Sequence, residues 1–588
     1  MFCFKTVGNS GSVLREVLKV PKSKVFRKCT TNASSTDVSK SLTGKSKARV
    51  QNGPSLEHFI ANSNQKRPVI KAQQVPSAPF IKDEDLMGNG RSVYFDVHGC
   101  QMNTNDTEIA WSILHSKGYT RTLDVNNADV VLVMTCAIRE GAETKIWKKL
   151  KHLTNIKRRR PLRKGGVRMK IGILGCMAER LKSQILEKEK LVDIVCGPDA
   201  YRDLPRLLAT TDSHQNAINV LLSLEETYAD VMPVRLNENA VTAYVSIMRG
   251  CDNMCAYCIV PFTRGRERSR PIDSIVDEVK MLSDQGVKEI TLLGQNVNSY
   301  RDMSESNYYG VADRSQPSSL SDGFSTIYKT KSGGRRFDEL LDKVSDVDKE
   351  MRIRFTAPHP KDFPDEVLYL IKERANICNQ LHLPAQSGNN EVLAAMRRGY
   401  TVESYHKLVD RVRTILPDVG LTSDFICGFC GETDRAHQET LQLVKEVKYS
   451  MLFCYPYSMR QKTHAYHRLK DDVPDEVKTA RHLELHSLFR DEALKYYTNL
   501  IGQYHTVLVE GYSKKKDKQT LFGRNDNGLP VVIPDIEIYD GSSNRHIQSG
   551  DYVVTKVTHV TSSTLYGEPL QITKLNGIVD DMQLQHSC

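Results

Sequence analysis

Three cysteines fall within eight residues, in the run Arg249-Gly250-Cys251-Asp252-Asn253-Met254-Cys255-Ala256-Tyr257-Cys258. Three thiolates on one short loop can each hold one iron of a [4Fe–4S] cube, and the fourth iron then stays open to a ligand that is not protein. A structural zinc site would need a fourth ligand, and its usual spacing pairs Cys-x2-Cys with a second, distant pair. Tyr257, just before the last cysteine, is an aromatic suited to packing over a cofactor.

A second trio is spread along the chain. Cys100, Cys136 and Cys176 each follow a short apolar run, at 93–97, 130–134 and 170–174, and each precedes a helical pattern, about 105–117, through 149 and through 187. Strand–loop–helix repeats imply a parallel sheet with right-handed crossovers, whose ligands gather beyond the carboxyl ends of the strands. The separations, 36 and 40 residues, are each about one such unit. If the strands are near neighbours, the three thiolates converge, and three soft ligands without a histidine pattern suit a second iron–sulfur cluster. The competing reading is that buried cysteines behave as small apolar residues. That reading is the one applied to Cys196, which ends the run 191–195.

Farther along, candidate strands at 243–248, 289–293, 352–356, 380–383, 421–427 and 451–455 alternate with helical patterns. Six such units make an open portion of a (β/α) barrel, with functional groups at strand C-termini. Gln295, Asn296, His359, Gln386, Ser387 and Asp424 fall there, although capping and backbone satisfaction are the commoner fates of Asn, Ser and Asp. From 504 to 570 the pattern changes to short strands at 505–509, 521–523, 530–533, 552–557 and 564–567, a five-stranded barrel of oligonucleotide-binding character. Lys514, Lys515, Lys516 and Lys518 cluster on one turn, with Tyr512 and Arg524 close in sequence. Such a patch suits RNA, or else is a solvated hairpin tip.

The chain has 588 residues, 39% hydrophobic and 26% charged, and a net charge of +11. Eleven basic and two acidic residues in 1–50 account for +9 of it, so global charge argues little for RNA binding. This basic start, with Val13, Leu14, Val17 and Leu18 on one helical face, has the pattern of a mitochondrial presequence; a solvated basic tail is the alternative. Residues 51–85 look like linker, and 301–336, rich in Ser, Gly and Asp, like a surface insertion. Residues 148–170 hold eleven Lys/Arg and no acid, which could grip phosphates or form a solvated loop. No run approaches 18 apolar residues, so no membrane-spanning helix is expected. Fourteen cysteines in this length are too sparse for a disulfide scaffold.

Gly99-Cys100-Gln101-Met102-Asn103, the Cys251/Cys255/Cys258 loop and Leu383-Pro384-Ala385-Gln386-Ser387-Gly388 together resemble the MiaB-type methylthiotransferases, which are radical S-adenosylmethionine (SAM) enzymes. Ala357-Pro358-His359-Pro360, Met396-Arg397-Arg398-Gly399-Tyr400 and Asp424-Phe425-Ile426-Cys427-Gly428-Phe429-Cys430-Gly431-Glu432-Thr433 extend the resemblance over 93–570. Two positions depart from it: Cys430 stands where the family usually has Pro, and Lys462 where it commonly has Gly. Tyr457-Ser458-Met459-Arg460-Gln461-Lys462-Thr463 and the presequence pattern resemble the animal mitochondrial branch, linked in name to a cyclin-dependent kinase 5 regulatory subunit.

The resemblance implies an α/β architecture. A parallel-sheet methylthiotransferase domain (90–215) would precede a radical-SAM partial (β/α)6 TIM-like barrel (237–492) and a small β-barrel TRAM domain (497–573), after a presequence and linker (1–85). It implies that Cys251, Cys255 and Cys258 are the catalytic ligands of a cluster that chelates SAM, and that Cys100, Cys136 and Cys176 hold an auxiliary cluster that presents sulfur. Gln295, Asn296, Gln386, Ser387 and Asp424 become candidate SAM contacts, and Lys514, Lys515, Lys516 and Arg524 candidate RNA contacts. One electron would cleave SAM to a 5′-deoxyadenosyl radical, which starts hydrogen removal at carbon 2 of an adenine ring; a second SAM would supply the methyl group. The implied substrate is N6-isopentenyladenosine beside the tRNA anticodon, in the mitochondrial matrix, with a donor such as ferredoxin. Threonylcarbamoyl-adenosine tRNA and a ribosomal-protein aspartate are the family's other substrates. A one-cluster radical-SAM enzyme and a non-enzymatic, zinc-bearing RNA adapter stand outside it, and a cytoplasmic or nuclear location follows if the basic start is not a presequence.

Overall fold

The computed structural model describes residues 81–137, 140–160, 168–213, 215–304, 324, 333–513 and 519–575. The expected presequence, most of the linker, most of the insertion and Lys514, Lys515, Lys516 and Lys518 lie outside the described residues.

The first module is a six-stranded parallel sheet. Its strands are β1 (Ser92–Val97), β2 (Thr120–Arg121), β3 (Val130–Thr135), β4 (Lys170–Gly175), β5 (Ile194–Cys196) and β6 (Ala217–Asn219), in the order β2-β1-β3-β4-β5-β6. All of β3 and β4 is buried, as continuous apolar strands covered on both faces must be. Val130, Leu132 and Met134 point to one face, against Ile109, Trp111 and Leu114 of the helix Gln101–Ser116. Val131 and Val133 point to the other, against Ile146, Leu150 and Leu153 of the helix Glu140–Arg159.

That second helix runs ten residues beyond its expected end, so 148–159 is helical rather than part of a basic loop, while 161–167 lie outside the described residues. The apolar spacing 146, 150, 153 continues to Lys157, whose Nζ is buried and donates to Asp193 at 2.5 Å and to the Leu191 carbonyl at 2.9 Å. It is an internal tie rather than a phosphate grip. The helix expected through 187 is in fact two, Cys176–Leu181 and Gln184–Lys188, broken where Lys182 takes φ +51°. Cys196 is fully buried in the core, as expected.

The second module is a partial barrel of six parallel strands. β7 (Thr242–Ser246), β10 (Glu289–Leu293) and β13 (Arg352–Phe355) form one sheet; β14 (Gln380–His382), β15 (Gly420–Cys427) and β16 (Met451–Pro456) form another. A parallel bridge, Ile353 to Ile377, joins them, and one core containing Val245, Ile290, Ile353, Leu381, Leu421 and Leu452 runs through both. Between these strands, β8 (Met248–Arg249) pairs with β9 (Arg268–Ser269), and β11 (Arg301–Asp302) with β12 (Arg335–Arg336). The β11–β12 pair pinches the base of the insertion, and Phe324 within it is buried 5.3 Å from the Tyr400 ring. Apolar burial therefore ties that residue to the barrel, which corrects the expectation of a purely superficial segment.

The 24-residue helix Asp475–Thr498, which the sequence reading leaves unassigned, packs Leu485, Phe489 and Ala493 into the barrel core and leads to the third module. There β17 (Tyr504–Tyr512), β18 (Thr520–Arg524), β19 (Pro530–Pro534), β22 (Tyr552–Val560) and β23 (Leu565–Thr573) close into a small barrel through the β19–β23 pairing. A further hairpin, β20 (Glu537–Tyr539) and β21 (Asn544–His546), is appended to β23.

The small barrel docks on the amino ends of the large barrel's strands. Arg352 Nη2 donates to the Thr506 carbonyl at 2.8 Å, Arg354 Nη2 to the Asn525 carbonyl at 2.7 Å, and Tyr552 Oη to the Lys288 carbonyl at 2.9 Å. Arg524, expected to face RNA, donates instead to Glu289 at 2.6 Å and to Glu510 at 2.5 Å. Its charge is committed to a buried carboxylate 235 residues away. No helix among the described residues is long and apolar enough to cross a membrane.

Candidate metal centres

Strand register brings the first trio together. Val97 of β1 pairs with Met134 of β3, and Met134 with Leu174 of β4, so Cys100, Cys136 and Cys176 leave three adjacent strands at the same level. Cys100 caps the helix Gln101–Ser116, and Cys176 opens its own short helix. Gly99 holds φ +117°, and a Cβ there would stand 2.8 Å from the Cβ of Cys136. Only glycine lets the two cysteine loops approach so closely.

Burial raises the Cys176 thiol to about 11 and raises Cys100 as well, with the charge of Arg264 opposing both. Cys100 is open to solvent at its own surface but sits in a surround dense enough to disfavour its thiolate. These thiols therefore give up their protons when a metal takes the sulfur.

The second trio sits on the loop after β8. Gly250 has φ +76°, and a Cβ there would meet the Arg266 carbonyl oxygen at 2.1 Å. The loop is pinned by Cys251 N–H to the Gly265 carbonyl at 3.2 Å and by Ala256 N–H to the Met396 carbonyl at 2.8 Å. Arg398 Nη1 lies 3.5 Å from Cys255 Sγ and 3.4 Å from Tyr257 Oη, while its Nη2 donates to the Pro384 carbonyl at 2.8 Å. Tyr257 meets Phe429 edge-on at 6.4 Å. Burial pushes Cys258 up to about 12 and Cys251 well above its ordinary value, each reinforced by the neighbouring cysteines. The two loops touch: Ala137 and Cys176 from the first module pack with Ile259 from the second in one buried cluster.

Between the modules lies a buried charge hub that sequence reading missed. Asp106, fully buried, accepts Arg249 Nη1 at 2.8 Å and Arg264 Nη2 at 2.6 Å. Burial would raise its pKa, but the two guanidinium groups hold it below the ordinary carboxylate value. Asp199 takes Arg268 Nη2 at 3.0 Å and lies 3.6 Å from Arg249 Nε. The available signal is the arginine-dense run Thr263-Arg264-Gly265-Arg266-Glu267-Arg268-Ser269-Arg270, in which all but Arg266 are internal among the arginines.

At the mouth of the large barrel, Gln295 follows β10 with its Oε1 buried and unpartnered. Asn296 Oδ1 accepts the His359 N–H at 3.0 Å, so it ties two strand-end loops together. Burial, then Arg398 and Lys361, hold His359 well below the usual histidine range. Gln386 has φ +70° and is bonded through its backbone to β15. The Ser387 hydroxyl accepts Asn389 N–H at 3.2 Å and meets Thr440 Oγ1 at 3.4 Å, which holds the turn. Asp424 Oδ2 lies 3.3 Å from His382 Nε2. A cavity of about 420 Å³ opens beside Cys255 and Cys258, lined also by Arg397, Lys462, His464, His467 and Arg468. Lys462 holds φ +73° and Arg397 φ +59°, backbone conformations that cost energy in any residue with a Cβ and that cluster at functional sites.

These donors fit iron–sulfur ligation. Both trios are free thiols, and each lies beside an arginine. Among the described residues no three side chains close around a single ion, and a cube, which takes each thiolate on a different iron, does not ask them to. The unpartnered Gln295 oxygen gives the barrel mouth an acceptor for a polar cofactor.

Residues 92–197 match the uncharacterized protein family UPF0004, residues 245–444 the radical SAM superfamily, and residues 499–570 the TRAM domain. The chain is 56% identical over 528 residues to mouse mitochondrial tRNA methylthiotransferase CDK5RAP1, covering 89% of this chain and 88% of the relative. It is 55% identical over 545 residues to the human protein of that name, covering 90% of each. It is also 45% identical over 478 residues to the tRNA-2-methylthio-N(6)-dimethylallyladenosine synthase of Chloroherpeton thalassium, covering 81% of this chain and 96% of that one. With identity of this order across all three modules, the chain belongs to the MiaB-type methylthiotransferase family of radical SAM proteins.

Proposed function

We propose that this protein is a mitochondrial tRNA methylthiotransferase that converts N6-isopentenyladenosine next to the anticodon to its 2-methylthio derivative. The observation that carries the reading is the pair of cysteine trios on touching loops, joined to relatives named for this reaction. In it, Cys251, Cys255 and Cys258 hold the SAM-binding [4Fe–4S] cluster, and Cys100, Cys136 and Cys176 hold a second, auxiliary one.

When bound, the clusters and SAM supply the one-electron and sulfur chemistry that carbon 2 of an adenine demands, since no acid–base group attacks that C–H. The chain's own groups position and shield. Arg398 steadies the Cys255 sulfur and fixes the Pro384 turn next to Gln386. Gln295, Gln386 and Asp424, which follow or lie in strands of the large barrel, are assigned as SAM contacts, while Asn296 and Ser387 hold neighbouring loops. Neutral His359 offers a hydrogen-bonding edge without adding charge near a sulfonium. The basic cavity beside Cys255 and Cys258 suits phosphates of a single-stranded loop, whose bases are the part of RNA most readily splayed into a pocket.

The small barrel is assigned a supporting grip on tRNA through Lys514, Lys515 and Lys516. The matrix, a ferredoxin-type donor, and a kinase regulatory subunit known only from relatives' names complete the proposal as its location and partners. Mass spectrometry of mitochondrial tRNA nucleosides from cells lacking the protein tests it. Loss of the 2-methylthio mark with isopentenyladenosine left behind is expected; an intact mark would overturn it.

A further inference from the structure

We propose that Arg264 is a positioning residue of the auxiliary centre, donating a charged hydrogen bond from Nη1 to one of that centre's sulfurs and thereby raising its reduction potential above the value the cysteines alone would set. The inference rests on the two-cluster reading above.

Arg264 is 3% exposed, and one side of its guanidinium is fully engaged: Nη2 donates to Asp106 at 2.6 Å and to Asn103 Oδ1 at 3.3 Å. Asn103 in turn donates to the His98 carbonyl at 2.6 Å and gives its N–H to the Cys100 carbonyl at 2.9 Å, so the guanidinium is fixed against the Cys100 loop itself. The other side, Nη1, is buried with no partner. A buried cationic donor without an acceptor is too costly to keep unless something accepts from it. Cys176 and Cys100 are the thiols whose charge Arg264 feels.

Charge balance points the same way. Among the described residues, Arg249, Arg264 and Arg268 share Asp106 and Asp199, so three guanidinium groups face two carboxylates in this network. A cube held by three thiolates is anionic, and it supplies the missing negative charge where Nη1 is left open. Hydrogen bonds and positive charge at cluster sulfurs favour the reduced state.

The test uses anaerobically reconstituted full-length protein, with iron and sulfide counted, and a redox titration of both centres followed by electron paramagnetic resonance. Arg264→Met is expected to lower the auxiliary centre's potential and change its signal, with the Cys251/Cys255/Cys258 centre unmoved. Asp106→Asn, which frees the guanidinium of its counter-charge, is expected to raise the same potential. Shifts of opposite sign separate an electrostatic role from a structural one, which would lower thermal stability in both variants without moving the potentials. Unchanged auxiliary potentials in the loaded variants would overturn the proposal, and if Arg264→Met fails to load, an unshifted Asp106→Asn does so alone. Wild-type protein that binds about four irons instead of about eight would overturn the two-cluster reading instead.

Discussion

Arg398 places Nη1 3.5 Å from the sulfur of Cys255, 143 residues earlier in the chain, and anchors its other terminal nitrogen on the carbonyl of Pro384. One guanidinium thus connects the cluster loop to the turn that carries Gln386. Groups that orient a metal ligand from outside are worth about ten- to a hundredfold in affinity or activity. Arg398→Met is expected to weaken iron retention at the Cys251/Cys255/Cys258 loop by that factor in a chelator competition, with the auxiliary iron retained. Equal retention by mutant and wild type would mean that Arg398 only packs.

The two trios should separate by function. Cys255→Ala is expected to abolish reductive cleavage of SAM, whereas Cys136→Ala should leave some cleavage but no sulfur insertion, both read by chromatography of 5′-deoxyadenosine and modified nucleoside. Full thiolation by the Cys136 variant would remove the auxiliary assignment.

Acid should loosen the seat of the small barrel. Burial acts to raise the pKa of Glu289, but Arg354, then Arg524 and Arg352, outweigh it and hold the carboxyl below its ordinary 4.5. A depressed folded-state pKa means that the stabilisation is complete above the unfolded value and is lost as pH falls through the folded one. Glu289→Gln is therefore expected to flatten the acid limb of a stability-against-pH profile below about 4.5. Glu289→Ala should cost about 3–5 kcal/mol near neutrality, because Arg354 stays buried without its partner. A wild-type profile flat through that range would contradict the account.

Phosphate binding has a salt signature. Replacing Arg397, Lys462 and Arg468 by Ala is expected to weaken tRNA binding and to reduce the salt slope by about 0.7 for each phosphate of a single-stranded segment that is no longer neutralised. Replacing Lys514, Lys515 and Lys516 should act in the same sense. Binding that weakens while the slope stays unchanged would assign these groups to packing or solvation.

The second trio is legible because its three cysteines lie on one loop, and the first because each cysteine follows an apolar strand. Arg264 and Arg398 are not legible, since the meaning of each comes from a distant partner, Asp106 at 158 residues for the first and Cys255 at 143 residues for the second. Arg524 misleads for the same reason. Near Lys514–516 in sequence it resembles an RNA contact, whereas in space its guanidinium is paired with buried Glu289 and with Glu510. Lys462 carries a clearer lesson, because its left-handed backbone is a conformation that glycine adopts most freely.

Sequence alone determined which side chains can ligate iron and which segments alternate as strand and helix, because ligand type and hydrophobic period are written in near neighbours. Tertiary structure decided that Val97, Met134 and Leu174 stand level, that the two cysteine loops touch at Ile259, and that Asp106 binds two arginines from the other module. Register and buried charge pairing join residues far apart in the chain, and only the folded packing settles which of many compatible partners meet.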